Sequence, residues 1–130
     1  MKFMPTFFRL FAVVVLALSL SSCEFEEVEL GFPSSVTFTK AGGVKSISGD
    51  ETFNYVDIHN YTTGEQGTIA PTDDALICKQ LDWLRVEYDL GFNTELRIIA
   101  EPNKTGKTRV LHIEVYSGAE YDTVEVRQNK

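Results

Sequence analysis

From Phe53 to Tyr61 the chain reads Phe-Asn-Tyr-Val-Asp-Ile-His-Asn-Tyr, placing Tyr55, Asp57, His59 and Tyr61 at every second position. Residues two apart share one face of an extended strand. A strand here would therefore show two phenol rings, a carboxylate and an imidazole in one stripe, with Val56 and Ile58 turned the other way. Aromatic rings stack on the apolar faces of sugars, and carboxylates and imidazoles bond their hydroxyls, so the stripe suits binding. Tyr116 and Tyr121 flank the Ser117-Gly118 turn and are candidate contacts of the same kind. One face of every sandwich strand is core, however, and Phe53, Tyr55 and Tyr61 read first as partly buried packing residues.

Catalytic machinery is hard to assemble from the remaining inventory. His59 and His112 are the only histidines, they fall on different expected strands, and neither has a second histidine or a cysteine at a metal-binding spacing. No G-x-S-x-G, P-loop or G-x-G-x-x-G run occurs. The adjacent acids Asp73-Asp74 follow Pro71-Thr72 and read as loop-capping residues rather than a glycosidase pair. We therefore expect a protein that is not an enzyme and needs neither metal nor cofactor.

Cys23 is a residue whose neighbours prescribe covalent chemistry. Lys2 and Arg9 precede an uncharged run of eleven residues, Leu10 to Leu20. That length matches the apolar core of a secretory signal and falls short of the ~20 residues of a membrane span. The run ends in Leu20-Ser21-Ser22-Cys23, which resembles the lipobox of bacterial lipoproteins: small residues admit the extended backbone to a narrow protease site, and the thiol accepts a diacylglycerol thioether. Residues 1–22 are thus expected to be a lipoprotein signal peptide. Several acyl chains on Cys23, at about 0.8 kcal/mol per buried CH₂, would hold the protein to a membrane without a transmembrane helix. With Cys23 acylated, Cys78 has no partner for an internal disulfide and reads as a small buried hydrophobe.

Glu24, Glu26, Glu27 and Glu29 put four carboxylates into six residues, and Gly31-Phe32-Pro33-Ser34-Ser35 follows, so residues 23–35 read as an acidic tether. Acids just after a lipidated cysteine also resemble the surface-export signal of Bacteroidetes lipoproteins. The expected location is the outer membrane, with display at the cell surface. The whole chain of 130 residues has a net charge of −7; without residues 1–22 it keeps 10 Lys+Arg against 19 Asp+Glu, a net of −9. Such a balance repels phosphate backbones, so nucleic acid is an unsuitable partner.

The elements that must position these residues are strands. From Val36 onward, short alternating runs are broken by Gly, Pro, Asn and Asp about every ten residues, with no sustained helical period. Leu81–Tyr88 reads as a strand with Leu84, Val86 and Tyr88 inward and Trp83 filling the space between sheets; residues 109–116 turn Leu111, Ile113 and Val115 inward, and Val124 and Val126 close the set. About seven strands in one domain, residues 36–130, give an all-β, immunoglobulin-like β-sandwich. Residues 62–74 read as a loop with at most a short strand about Ile69.

The order Trp83-Leu84-Arg85-Val86, Gly91, the polar loop Pro102-Asn103-Lys104-Thr105-Gly106-Lys107 before the Arg109 strand, and the closing Val124-Glu125-Val126-Arg127-Gln128 resembles the BACON domain, a Bacteroidetes-associated carbohydrate-binding module. The likeness runs roughly from Val36 to Asn129. It implies a non-catalytic module in glycan capture, with a polysaccharide or a co-encoded surface protein as partner; a spacer or protein-interaction module without glycan affinity is the alternative. Asp122-Thr123-Val124 resembles the O-glycosylation acceptor of the same phylum, with Thr123 as the acceptor.

Overall fold

A computed structural model of the chain describes residues 30–72, 76–91 and 93–130. The expected signal peptide, Cys23, the acidic run and Asp73-Asp74 lie outside the described residues.

Nine strands are found among the described residues: β1 (Ser35–Phe38), β2 (Gly43–Phe53), β3 (Tyr55–His59), β4 (Thr68–Ala70), β5 (Leu76–Leu81), β6 (Leu84–Asp89), β7 (Asn93–Ala100), β8 (Arg109–Ser117) and β9 (Glu120–Gln128). They form a four-stranded sheet, β1-β9-β8-β3, and a five-stranded sheet, β2-β7-β6-β5-β4. All neighbours run antiparallel except β1 and β9, which pair in parallel. The sheets enclose a core of Phe38, Phe53, Val56, Ile58, Leu84, Val86, Leu96, Ile98, Leu111, Ile113, Val115, Val124 and Val126. The protein is an all-β sandwich whose inward residues alternate with outward ones, as burial of one sheet face requires.

The count exceeds the expected seven by β4 and β5, and two segments read as single strands each fall across two. At Asn54 the chain leaves the five-stranded sheet and enters the four-stranded one, its amide donating to the Tyr116 carbonyl at 3.0 Å. Changing sheets inverts the parity that faces the core. Phe53 is therefore buried, packed edge-on against Tyr88 at 5.5 Å, while Tyr55, two residues on, points outward. The second case is Leu81–Tyr88. Leu81 pairs directly with Leu84 across a two-residue turn, Asp82-Trp83, in which Asp82 takes a positive φ of 52°. A turn residue is free of strand parity, and Trp83 is buried as expected although it lies outside any strand. The short strand about Ile69 is present as β4.

Leu30 and Phe32, which belong to the segment read from the sequence as a tether, are packed against the body. Leu30 is buried, and its amide and that of Phe32 both donate to the Asp122 carboxylate at 3.0–3.1 Å. Its carbonyl accepts the amides of Asp50 and Glu51 at 2.8 and 3.2 Å. The chain thus enters the sandwich at the start of β9. At the opposite end Gly42, with φ of 74°, brings the β1–β2 turn so close to the Ala100 carbonyl that a Cβ would lie 2.3 Å from that oxygen. Only glycine allows that approach.

Candidate functional site

The outer face of the four-stranded sheet gathers all six tyrosine, aspartate and histidine candidates. Register does this: Tyr55 pairs with Tyr116 and Tyr116 with Tyr121; Asp57 with Glu114 and Glu114 with Thr123; His59 with His112 and His112 with Glu125. Three rows therefore cross β3, β8 and β9. The first is aromatic, with centroids 5.6 Å apart between Tyr55 and Tyr116 and 5.1 Å between Tyr116 and Tyr121. Tyr61, beyond the end of β3, folds back over the third row, its ring stacked 4.4 Å from His112 and 5.9 Å from His59.

Glu114 is the centre of this face. It accepts hydrogen bonds from the Tyr61 hydroxyl at 2.6 Å and from the Tyr116 hydroxyl. His59 Nε2 lies 3.3 Å from Glu114 Oε1 and 3.4 Å from Asp57 Oδ2, so one imidazole sits against two carboxylates that pair directly across strands. Burial by itself would raise the Glu114 pKa, but the phenol bonds from Tyr116 and Tyr61 and the nearby histidines outweigh it and hold the carboxyl below its ordinary 4.5. The phenols move the other way: partial burial, then the bond to Glu114, lifts Tyr61 to about 12, and that bond first, then burial, lifts Tyr116.

A carboxyl with a lowered folded pKa stabilises the protein above its unfolded value, and that contribution is lost as the pH falls through the folded value. The stability advantage of the wild type over Glu114→Gln is accordingly expected to be present at neutral pH and to shrink once the pH drops below 4.5. Urea unfolding of both proteins at neutral and acid pH measures it; an advantage unchanged by acid would show that the phenol bonds do not favour the charged form.

The six candidates differ in what they can offer a ligand. Tyr61 and Tyr121 are 54% and 51% exposed, each with one side against a ring neighbour and the remainder open to water. Tyr55 is exposed too, but the Lys79 ammonium lies 4.7 Å over its ring and donates to its hydroxyl at 3.4 Å. Tyr116 is half-buried between Tyr55 and Tyr121, and His59 is half-buried under Tyr61. Asp57, expected as a ligand contact, is only 7% exposed: its Oδ1 accepts the Ile58 amide at 2.8 Å and its other oxygen faces His59. Its place is beneath the face, positioning the imidazole. Thr123 is exposed in the middle row, while Asp122 beside it is occupied with the Leu30 and Phe32 amides.

Glu114, His112 and Glu125 were not singled out from the sequence. The alternation of residues 109–116 turns His112 and Glu114 outward, and that signal was legible; what was missing was the pairing of β3 with β8. Elsewhere, Cys78 is fully buried, with Arg85 Nε donating to its sulfur at 2.8 Å. Among the described residues no group of three His, Cys, Asp or Glu side chains is arranged to hold a metal ion.

Fold and face together define an all-β sandwich with an exposed tyrosine, histidine and carboxylate surface on one sheet. No protein-family model matches the chain, and no curated protein matches it. Among solved structures it is similar to a Bacteroides ovatus GH5 xyloglucanase in complex with a XXXG heptasaccharide, at 17% identity and a TM-score of 0.44, over 78% of this chain and 19% of that one. It is also similar to a protein from Bacteroides thetaiotaomicron determined by NMR, at 13% identity and a TM-score of 0.46, over 80% of this chain and 87% of that one. This chain spans about a fifth of the xyloglucanase. Likenesses this weak establish neither kinship nor function.

Proposed function

We propose that the protein is a non-catalytic surface lipoprotein, anchored through Cys23, that holds a neutral glycan chain against the outer face of the four-stranded sheet. The observation that carries the reading is the pair of half-open rings, Tyr61 and Tyr121, at either side of a middle row of Glu114 and Thr123. Rings supply apolar faces for sugars. Glu114 and Thr123 supply bonding groups for hydroxyls between them, and Glu114, Asp57 and Glu125 disfavour an acidic sugar at this place by like-charge repulsion. The BACON-like order of residues in the C-terminal half supports the same class of ligand. Glu114 has both oxygens engaged by phenols on an open sheet face, an arrangement suited to holding rings in place and not to proton transfer in a cleft.

Affinity electrophoresis in gels containing a panel of neutral polysaccharides tests the binding. At least one polymer should retard the protein, and Tyr61→Ala/Tyr121→Ala should weaken that retardation by about fivefold per ring, each ring contributing on the order of 1 kcal/mol. No retardation across the panel, or equal retardation of the variant, would overturn the assignment. The anchor is tested separately: Cys23→Ala should move the protein from the membrane fraction to the soluble one, and unchanged membrane retention would refute acylation at that residue.

A further inference from the structure

The two ends of the sandwich carry opposite charge. Around the entry point at Leu30 lie Asp50, Glu51, Asp89, Glu95, Glu120 and Asp122, with no lysine or arginine among the described residues of that end. At the other end the β1–β2 turn and the β7–β8 loop bring together Lys40, Lys104, Lys107 and Arg109, against Glu101 and Asp82. Arg109 is committed internally: its guanidinium lies 4.7 Å over the Trp83 ring and donates to Gln128, Glu101 and Pro102. Lys40, Lys104 and Lys107 are exposed, and none is ion-paired among the described residues.

Lys40 and Lys104 also line one open, largely apolar hollow with Thr39, Ala41, Pro102 and Asn103. The hollow is held in shape by Asn103, which is buried. Its amide nitrogen donates to the Lys107 and Asn129 carbonyls at 2.8 and 3.1 Å, its side-chain oxygen accepts the Thr105 amide and hydroxyl at 3.1 and 2.6 Å, and its backbone amide donates to the Lys40 carbonyl at 2.8 Å. The Lys107 carbonyl is thus held by the buried Asn103 side chain, and the Lys40 carbonyl by the Asn103 backbone amide.

We infer that this end is a second binding site, for the acidic residues of a carboxylated polysaccharide. An apolar floor of Ala41 and Pro102 takes the face of one sugar ring, and the ammonium groups of Lys40 and Lys104 take its carboxylate. Preorganisation by Asn103 lowers the ordering cost of that contact. The site is small and flanked by acids, unlike the continuous basic track that a phosphate backbone needs. It also lies at the far end of β9 from the Leu30 entry point. The site stands apart from the tyrosine face and takes the acidic sugar that the carboxylates of that face disfavour, so the two readings fail separately.

Affinity electrophoresis of the full chain in gels containing polygalacturonate, against gels containing the methyl-esterified polymer, decides the matter. The wild type should be retarded by the acidic polymer and not by its ester. Lys40→Gln/Lys104→Gln should weaken retardation about tenfold, the worth of one charge-assisted bond. Arg97→Gln/Arg127→Gln removes the same charge away from the hollow and should leave retardation within about twofold. Absence of retardation, equal retardation by the ester, or equal losses in the two double variants would overturn the proposal, the last by showing diffuse charge attraction. Tyr61→Ala/Tyr121→Ala should bind polygalacturonate as the wild type does; a matching loss in that variant would place the acidic sugar on the tyrosine face and overturn the assignment to this end.

Discussion

Trp83→Ala is expected to lower the unfolding free energy by about 3–5 kcal/mol, the largest loss of any single substitution considered for this protein. Trp83 is buried at the floor of the core, between the sheets, with the Arg109 guanidinium 4.7 Å over its ring. Its carbonyl accepts the Glu101 amide at 3.0 Å and so starts the β7–β8 loop. Truncation removes the ring from the core, leaves a cavity that a two-residue turn cannot collapse to fill, and takes away the surface on which Arg109 rests. Domains of this size are stable by only about 5–15 kcal/mol, so the variant should lie near its unfolding threshold. Trp83→Phe keeps most of the apolar volume and should lose much less. Urea unfolding monitored by far-ultraviolet circular dichroism measures both, since neither retains the indole as a fluorescent reporter. A loss under 1 kcal/mol for the alanine variant would mean that the ring is not a core element.

Gln128→Leu is expected to cost about 2–4 kcal/mol even though it places an apolar side chain of similar volume in a buried site. Gln128 is fully buried at the end of β9. Its amide nitrogen donates to the Glu101 and Thr39 carbonyls at 2.7 and 3.2 Å, and its oxygen accepts Arg109 Nε at 2.8 Å. It therefore joins β9, the β1–β2 turn and the β7–β8 loop at the end of the sandwich where both lysine-bearing segments meet. Leucine leaves two carbonyls and a guanidinium nitrogen without that partner, and unpaired buried polar groups cost more than the bonds contribute when made. Because Arg109 and Gln128 share one network, Arg109→Ala combined with Gln128→Leu should destabilise less than the sum of the two. A double-mutant cycle by urea unfolding gives the coupling directly; strict additivity would remove Gln128 from the network.

These two side chains also show how differently the sequence spoke at different places. Alternation of Leu111, Ile113, Val115, Val124 and Val126 is a local property: a half-buried strand must turn every second residue inward, so the periodicity reveals both strand and core face without knowledge of any partner. Trp83 was legible as a core residue for a different reason, its size and apolarity, while the turn that holds it was not, because a two-residue hairpin led by aspartate carries little of the glycine signature of such turns.

Phe53 and Tyr55 mark the limit of local reading. They share parity in the sequence, yet one is core and the other solvent-facing, because the chain changes sheets at Asn54 and no short-range pattern records that crossing. The site had the same split character. Tyr55, His59 and Tyr61 could be placed on one stripe from spacing alone, but the alignment of β3, β8 and β9 that sets Glu114 between two phenols and buries Asp57 depends on pairing between residues more than fifty positions apart.

Charge followed the same rule. A net of −7 is a sum over residues and is complete in the sequence. Where those charges lie is a property of the folded chain, and only the meeting of the β1–β2 turn with the β7–β8 loop separates a lysine-bearing end from an acidic one. Composition and periodicity determined an acidic, all-β protein with an apolar interior, because those depend on each residue and its near neighbours. Tertiary structure decided which polar side chains meet, because register and sheet crossing are set by the packing of the whole core.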